Sequence, residues 1–199
     1  IGLADRNTVS GTVRAHMVAK EAGLKYHPGA RLVFSDGTPD ILAYPQDRPA
    51  WGRLCRLLTT GNLRGEKGAA DLRLEDLLEW GEGLSLALVA GTGGQSGDPE
   101  PSSIPLATGR TLKERFGRHV RLAAAPPFGV SNAHAIALAA ADASACGISL
   151  MAINGVRCHV PERRPLADVL ASIRLHEPVA RAGFQLAANA ECHLKTPQE

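Results

Sequence analysis

The chain has 199 residues, enough to bury one substantial core and too few for two full-sized domains. It is 44% hydrophobic and 21% charged, the composition of an ordinary globular domain. A formal net charge of +2, with Arg53, Arg56, Arg163 and Arg164 scattered instead of forming a stripe, argues against a dedicated nucleic-acid binder.

Residues 1–5 read as a strand. Asn7 or Thr8 can cap a helix that places Val9, Val13, His16 or Met17, and Lys20 on related faces, with Gly23 as its stop. Residues 31–34 and 41–44 form two apolar runs joined by Ser35-Asp36-Gly37-Thr38-Pro39-Asp40. That linker is turn chemistry, so an antiparallel hairpin is expected. A helix over about 49–59 turns Trp51, Leu54, Leu57 and Leu58 inward, and 61–70 is loop-like.

A second helix at 74–80 leads into the apolar strand 84–89. Residues 91–105 are rich in Gly, Ser and Pro and read as a flexible loop. The Gly-rich start of that loop lacks the Gly-Lys-Ser/Thr ending of a phosphate loop, and prolines interrupt any following helix. Strand 119–125, helix 132–145, strand 148–153 and helix 166–174 complete the pattern, and Gly147 stands where a helix stop is wanted. Alternating strands and helices argue for an α/β fold on a parallel sheet, open or closed into a barrel.

The cysteines Cys55, Cys146, Cys158 and Cys192 form no C-x-x-C pair, so reduced thiols in a cytoplasmic protein are expected. No apolar stretch approaches the length of a membrane span. The chain opens at Ile1 on an apolar run, which suggests a fragment that lacks its first strand.

In barrels of this kind chemistry gathers where strands end. The residues to inspect are therefore Asp5-Arg6-Asn7, Arg31, Pro126-Pro127 and the run from Asn154 to His159. Several segments carry a resemblance. They are Asp5-Arg6-Asn7-Thr8-Val9-Ser10-Gly11, Gly29-Ala30-Arg31-Leu32-Val33, Asp36-Gly37-Thr38-Pro39-Asp40, Gly52-Arg53-Leu54-Cys55-Arg56, Pro161-Glu162-Arg163-Arg164 and Asn189-Ala190-Glu191-Cys192-His193. In this order they resemble the polymerase-and-histidinol-phosphatase (PHP) domain of bacterial error-prone DNA polymerases related to the polymerase III alpha subunit.

The resemblance implies a single PHP-like domain over 1–199, with 175–199 beginning the connection to a following polymerase domain. It implies a distorted parallel (βα) barrel of PHP type, lacking its first strand and carrying a β-hairpin insertion. It also implies clustered His, Asp and Glu ligands at the strand ends, because a shared metal-bound water must be made nucleophilic. Carried onto this chain, those positions have eroded. Asp5 remains, Arg6 takes a His position, and Arg31 stands for the carboxylate of Gly-x-Glu. The Asn-Asp-x-His motif has become Asn154-Gly155-Val156-Arg157. Glycine and arginine do not ligate divalent cations. His16 is the best remaining imidazole, and the adjacent Cys158 and His159 point to opposite faces if the backbone is extended.

The three introduced arginines either surround Asp5, supplying charge the metals once provided, or point to solvent from unconstrained loop ends. Three functional readings stand. The first is a non-catalytic scaffold packed against the palm and thumb domains of an error-prone polymerase, with Glu162, Arg163 and Arg164 on an interdomain surface. That parent would use magnesium, reach DNA through its other domains and meet damage-tolerance proteins, while this chain would need no cofactor. The second is a metal-dependent phosphoesterase or proofreading exonuclease using Asp5, His16 and residues outside this chain. The third is a binding module for an anionic small molecule at the Arg-lined strand ends.

Overall fold

The computed structural model describes residues 1–90, 104–125, 132–187 and 189–196. Apart from Ile104 and Pro105, the loop expected at 91–105 lies outside those residues, as do Pro126 and Pro127. Six strands form one sheet in chain order: β1 (Gly2–Arg6), β2 (His27–Leu32), β3 (Ile41–Pro45), β4 (Leu84–Val89), β5 (Val120–Ala124) and β6 (Ser149–Ala152). β1 and β2 are parallel, as are β4, β5 and β6, while β3 runs antiparallel to both neighbours. The hairpin of the sequence reading is present, with Ala30 opposite Ala43 and Leu32 opposite Ile41. Its second strand has a further partner. β3 also pairs over its full length with β4, Ile41 opposite Leu88 through Pro45 opposite Leu84, and so lies in the centre of the sheet. Among the described residues the sheet is open, with β1 and β6 at its edges.

The core lies over the middle of the sheet. Alternate residues of the central strands, Leu32, Ile41, Leu84, Leu86, Leu88 and Leu122, are fully buried there. They meet Leu54, Leu57 and Leu58 of α2 (Arg48–Arg64), Leu77 of α3 (Leu74–Trp80) and Leu112 of α4 (Leu106–Phe116). Removing a leucine side chain from water contributes about 1.5–3 kcal/mol, so this cluster is the main source of stability.

α2 starts where Asp47 Oδ1 accepts the Ala50 N–H at 2.7 Å, with Pro49 in the first turn. It runs five residues past the expected end. Gly61, against which Leu72 packs, is part of the helix and not of a loop. The start of α3 is capped from a distance, by the Asp36 carboxylate accepting the Leu74 N–H at 2.8 Å. α4 has no counterpart among the elements expected from the sequence. Its Gly109 lies against Cys146 of α5 (Asn132–Cys146), where an added Cβ would come within 2.5 Å of the sulfur.

The first helix differs from expectation. α1 (Thr12–Glu21) begins after Gly11 with no side-chain cap, although Gly23, at φ +66°, does supply the stop. Asn7 has left the capping role. At φ 50° its side chain accepts the Val33 N–H (2.8 Å) and donates to the Val33 carbonyl (2.9 Å). Only Ala19 of α1 is buried, and Val13 and Met17 lie in solvent. No helix of the described residues is long and apolar enough to cross a membrane.

Candidate functional site

β1 and β2 run parallel in a register that sets Asp5 beside Ala30 and Arg6 beside Arg31 at their carboxyl ends. Asn7 continues the ladder by donating its N–H to the Arg31 carbonyl at 2.9 Å, and its side chain clamps the strand beyond. The two strand ends are therefore held rigidly together. Gly29 permits this packing: a Cβ there would lie 2.5 Å from the Tyr44 ring and 2.8 Å from the Ala43 carbonyl oxygen.

On the other side stands the run after β6. Asn154 Nδ2 donates to the His193 carbonyl at 2.6 Å, and the Arg157 N–H donates to the Cys192 carbonyl at 2.8 Å. A parallel bridge between Cys158 and His193 completes the stitch. Gly155 takes φ +57°, a left-handed turn that favours glycine. The turn gives glycine a conformational reason to stand at this position.

Between these two walls lies a cleft of about 360 Å³. Asp5, Arg6, Arg31 and Arg157 all line it, so four of the seven positions singled out from the sequence converge. Asn154 and Gly155 shape the adjoining loop without lining the cleft. His16 stands apart on α1, its ring 6.3 Å from that of Tyr26. The third wall was not anticipated. α6 (Arg164–Leu175) presents Arg164, Ala167, Asp168, Ala171, Arg174 and Leu175 to the cleft, a stripe at helical spacing. That periodicity was readable, but which face of the helix turns inward is decided by tertiary packing.

The arginines do not close on Asp5. Arg31 Nε donates to Asp40 Oδ2 at 2.6 Å, while Asp5 Oδ2 accepts the Gly11 N–H at 3.2 Å. Among the described residues Asp5 makes no ion pair. Arg164 donates to the Ala187 carbonyl at 2.6 Å and lies 3.3 Å from Asp168. Burial pushes the Cys192 thiol up, with nearby Arg157 pulling it partly back.

This donor set does not suit a catalytic divalent metal. Among the described residues five guanidinium groups line the cleft and repel a cation, against two carboxylates, Asp5 and Asp168. Among the described residues no group of three or more His, Cys, Asp or Glu side chains is arranged to hold a metal. The same surroundings suit an anion.

The whole chain is 53% identical over 199 residues to error-prone DNA polymerase 1 of Rhizobium meliloti (strain 1021). It is 54% identical over 201 residues to the error-prone DNA polymerase of Mesorhizobium japonicum, and 43% identical over 203 residues to that of Rhodopseudomonas palustris (strain BisB5). The chain spans 17% of the length of the first two relatives and 18% of the third. No protein-family profile matches it.

Proposed function

We propose that this chain is a PHP-type domain of an error-prone DNA polymerase related to the polymerase III alpha subunit, and that it acts there as a non-catalytic scaffold. Support for the parent comes from relatives named error-prone DNA polymerase that match the chain throughout. The non-catalytic role rests on one observation above all. Where strand ends converge, Arg6, Arg31 and Arg157 occupy the positions at which metal ligands are expected, so a metal-activated water has no seat.

The scaffold role is supported by an exposed apolar stripe on the outer face of α6. Leu166, Val169 and Ile173 follow i, i+3, i+7 spacing and are between 43% and 65% exposed. An amphipathic helix normally buries such a face, and this one turns it outward. The occupant we assign is the remaining polypeptide of the parent, its palm and thumb domains. In this reading synthesis, magnesium and DNA contacts belong to those domains in the cytoplasm, and damage-tolerance partners meet the assembled enzyme.

The test uses the full-length polymerase. Asp5→Asn should leave primer extension and any 3′-end hydrolysis unchanged, whereas Ile173→Glu should lower the melting temperature and the yield of intact enzyme. Loss of a manganese- or zinc-dependent hydrolysis in Asp5→Asn would instead establish a phosphoesterase.

A further inference from the structure

The cleft has a composition that scaffolding alone does not require. Its lining carries five arginines and two aspartates, in a chain whose formal net charge is only +2. The arginines come from four separate places: Arg6 on β1, Arg31 on β2, Arg157 in the loop after β6, and Arg164 and Arg174 on α6. Guanidinium groups repel one another, and gathering five around one concavity is unfavourable unless an anion joins them. Arg31 and Arg164 are partly neutralised by Asp40 and Asp168. Arg6 and Arg174 are exposed and make no ion pair among the described residues, so their donors are available.

The remaining lining narrows the ligand. Ala4, Ala167, Leu170, Ala171 and Leu175 give the cleft an apolar flank, and its volume lies in the range of small-molecule sites. Asp5 and Asp168 would repel a string of phosphates but can accept hydroxyl hydrogens. We propose that this cleft binds a small phosphomonoester, its phosphate held by Arg6, Arg174 and Arg157, its hydroxyl-bearing body lying along α6. With no metal seat, the ligand is held and not hydrolysed, and it acts as an effector that clamps α6 to the ends of β1 and β2. This inference stands on the cleft alone and does not depend on the parent enzyme.

Isothermal calorimetry on the 199-residue chain, whose folding a cooperative thermal melt by circular dichroism establishes first, tests it, with inorganic phosphate, ribose 5-phosphate, a nucleoside 5′-monophosphate and the free nucleoside as probes. Both organic phosphates are expected to bind at least tenfold tighter than inorganic phosphate, and the free nucleoside not to bind. A tighter fit for one organic phosphate over the other tells a sugar phosphate from a nucleotide. Arg6→Gln and Arg174→Gln, both at exposed positions, should each weaken binding about tenfold with an unchanged circular dichroism spectrum, and Arg6→Lys should recover part of it. The proposal is overturned if no probe binds at millimolar concentration, if the free nucleoside binds as tightly as its phosphate, or if a short single-stranded oligonucleotide binds more tightly than the monophosphate. Unchanged affinity in both glutamine variants overturns it as well.

Discussion

Arg31 Nε and Asp40 Oδ2 lie 2.6 Å apart and join the end of β2 to the turn that leads into β3. Each side chain is about a quarter exposed, so solvent screens the pair only in part. Arginine here is thus a structural partner of the hairpin as well as a wall of the cleft. Arg31→Glu would set two carboxylates against each other. It should destabilise the chain by more than Arg31→Gln, which forfeits a charge-assisted hydrogen bond of roughly 1–2 kcal/mol. Thermal melts compare the two, and Asp40→Asn should restore most of the loss in Arg31→Glu. Metal analysis of Arg31→Glu should still find no stoichiometric zinc or manganese, because Arg6 and Arg157 remain. A bound metal in that variant would count against the reading of the site.

Asn7 supplies a second test. It combines a left-handed backbone at φ 50° with a side chain that bonds both polar groups of Val33. Asn7→Gly loses the clamp but accepts the conformation freely. Asn7→Ala loses the clamp and also meets the Cβ penalty of that conformation, about 1–2 kcal/mol. Alanine should therefore be the more destabilising by about 1 kcal/mol in urea unfolding. Equal stability of the two variants would show that the backbone there relaxes.

The same residue marks a limit of sequence reading. Asn7 ahead of an apolar-periodic run has the pattern of a helix cap, and nothing local indicates that Val33 claims its amide. α3 and β4, by contrast, were legible to the residue, because their apolar spacing and flanking glycines are local signals. The antiparallel hairpin pairing was legible too, but its first strand spans His27–Leu32 and not 31–34. The pairing of β3 with β4 was not, since it joins Ile41 to Leu88 across two intervening helices. α4 went unread because its contacts, Gly109 on Cys146 among them, lie far along the chain. At the cleft, strand-end logic found Asp5, Arg6, Arg31 and Arg157. It does not bring Arg164 or Arg174 to the cleft, since their orientation depends on how α6 docks, and neither alternative for the arginines, around Asp5 or out in solvent, puts Arg31 on Asp40.

Gly29 is required by sterics and not by chemistry. The Tyr44 ring covers the β2 backbone so closely that a methyl group at Gly29 has no room. Gly29→Ala should cost about 1–3 kcal/mol through overpacking. Tyr44→Ala in the same chain should recover only part of that, because the Ala43 carbonyl also stands 2.8 Å from the added carbon. Burial pushes the Tyr44 phenol up, with Tyr26 adding to the shift. Its contribution to stability is complete below about pH 10 and is lost as the pH rises further, since the unfolded chain ionises more readily. An ultraviolet titration should find the Tyr44 phenol ionising late.

The acid limb rests on the joint between α2 and α3. Arg64 grips Asp76 with two parallel hydrogen bonds of 2.8 Å, and Asp76 also accepts the Arg73 N–H at 2.9 Å. The Arg64 guanidinium holds the Asp76 carboxyl below its usual range despite burial. Arg73 and Ser35 do the same for Asp71. At Asp36 burial pushes the carboxyl up, but the Leu74 and Thr38 amides together outweigh it. All three folded pKa values are therefore depressed. Their stabilisation is fully present above the unfolded value of about 3.9 and disappears as pH falls through the lower folded values. Urea midpoints should be level from neutrality to about pH 5 and then drop steeply below pH 4. Asp76→Asn, which keeps the shape but not the charge, should cost on the order of 2 kcal/mol at pH 7. Its curve should converge toward that of the unsubstituted chain only as pH falls through the depressed folded pKa of Asp76, because both then carry a neutral group at position 76. Parallel curves throughout would mean that the Arg64–Asp76 pair adds no pH-dependent stability.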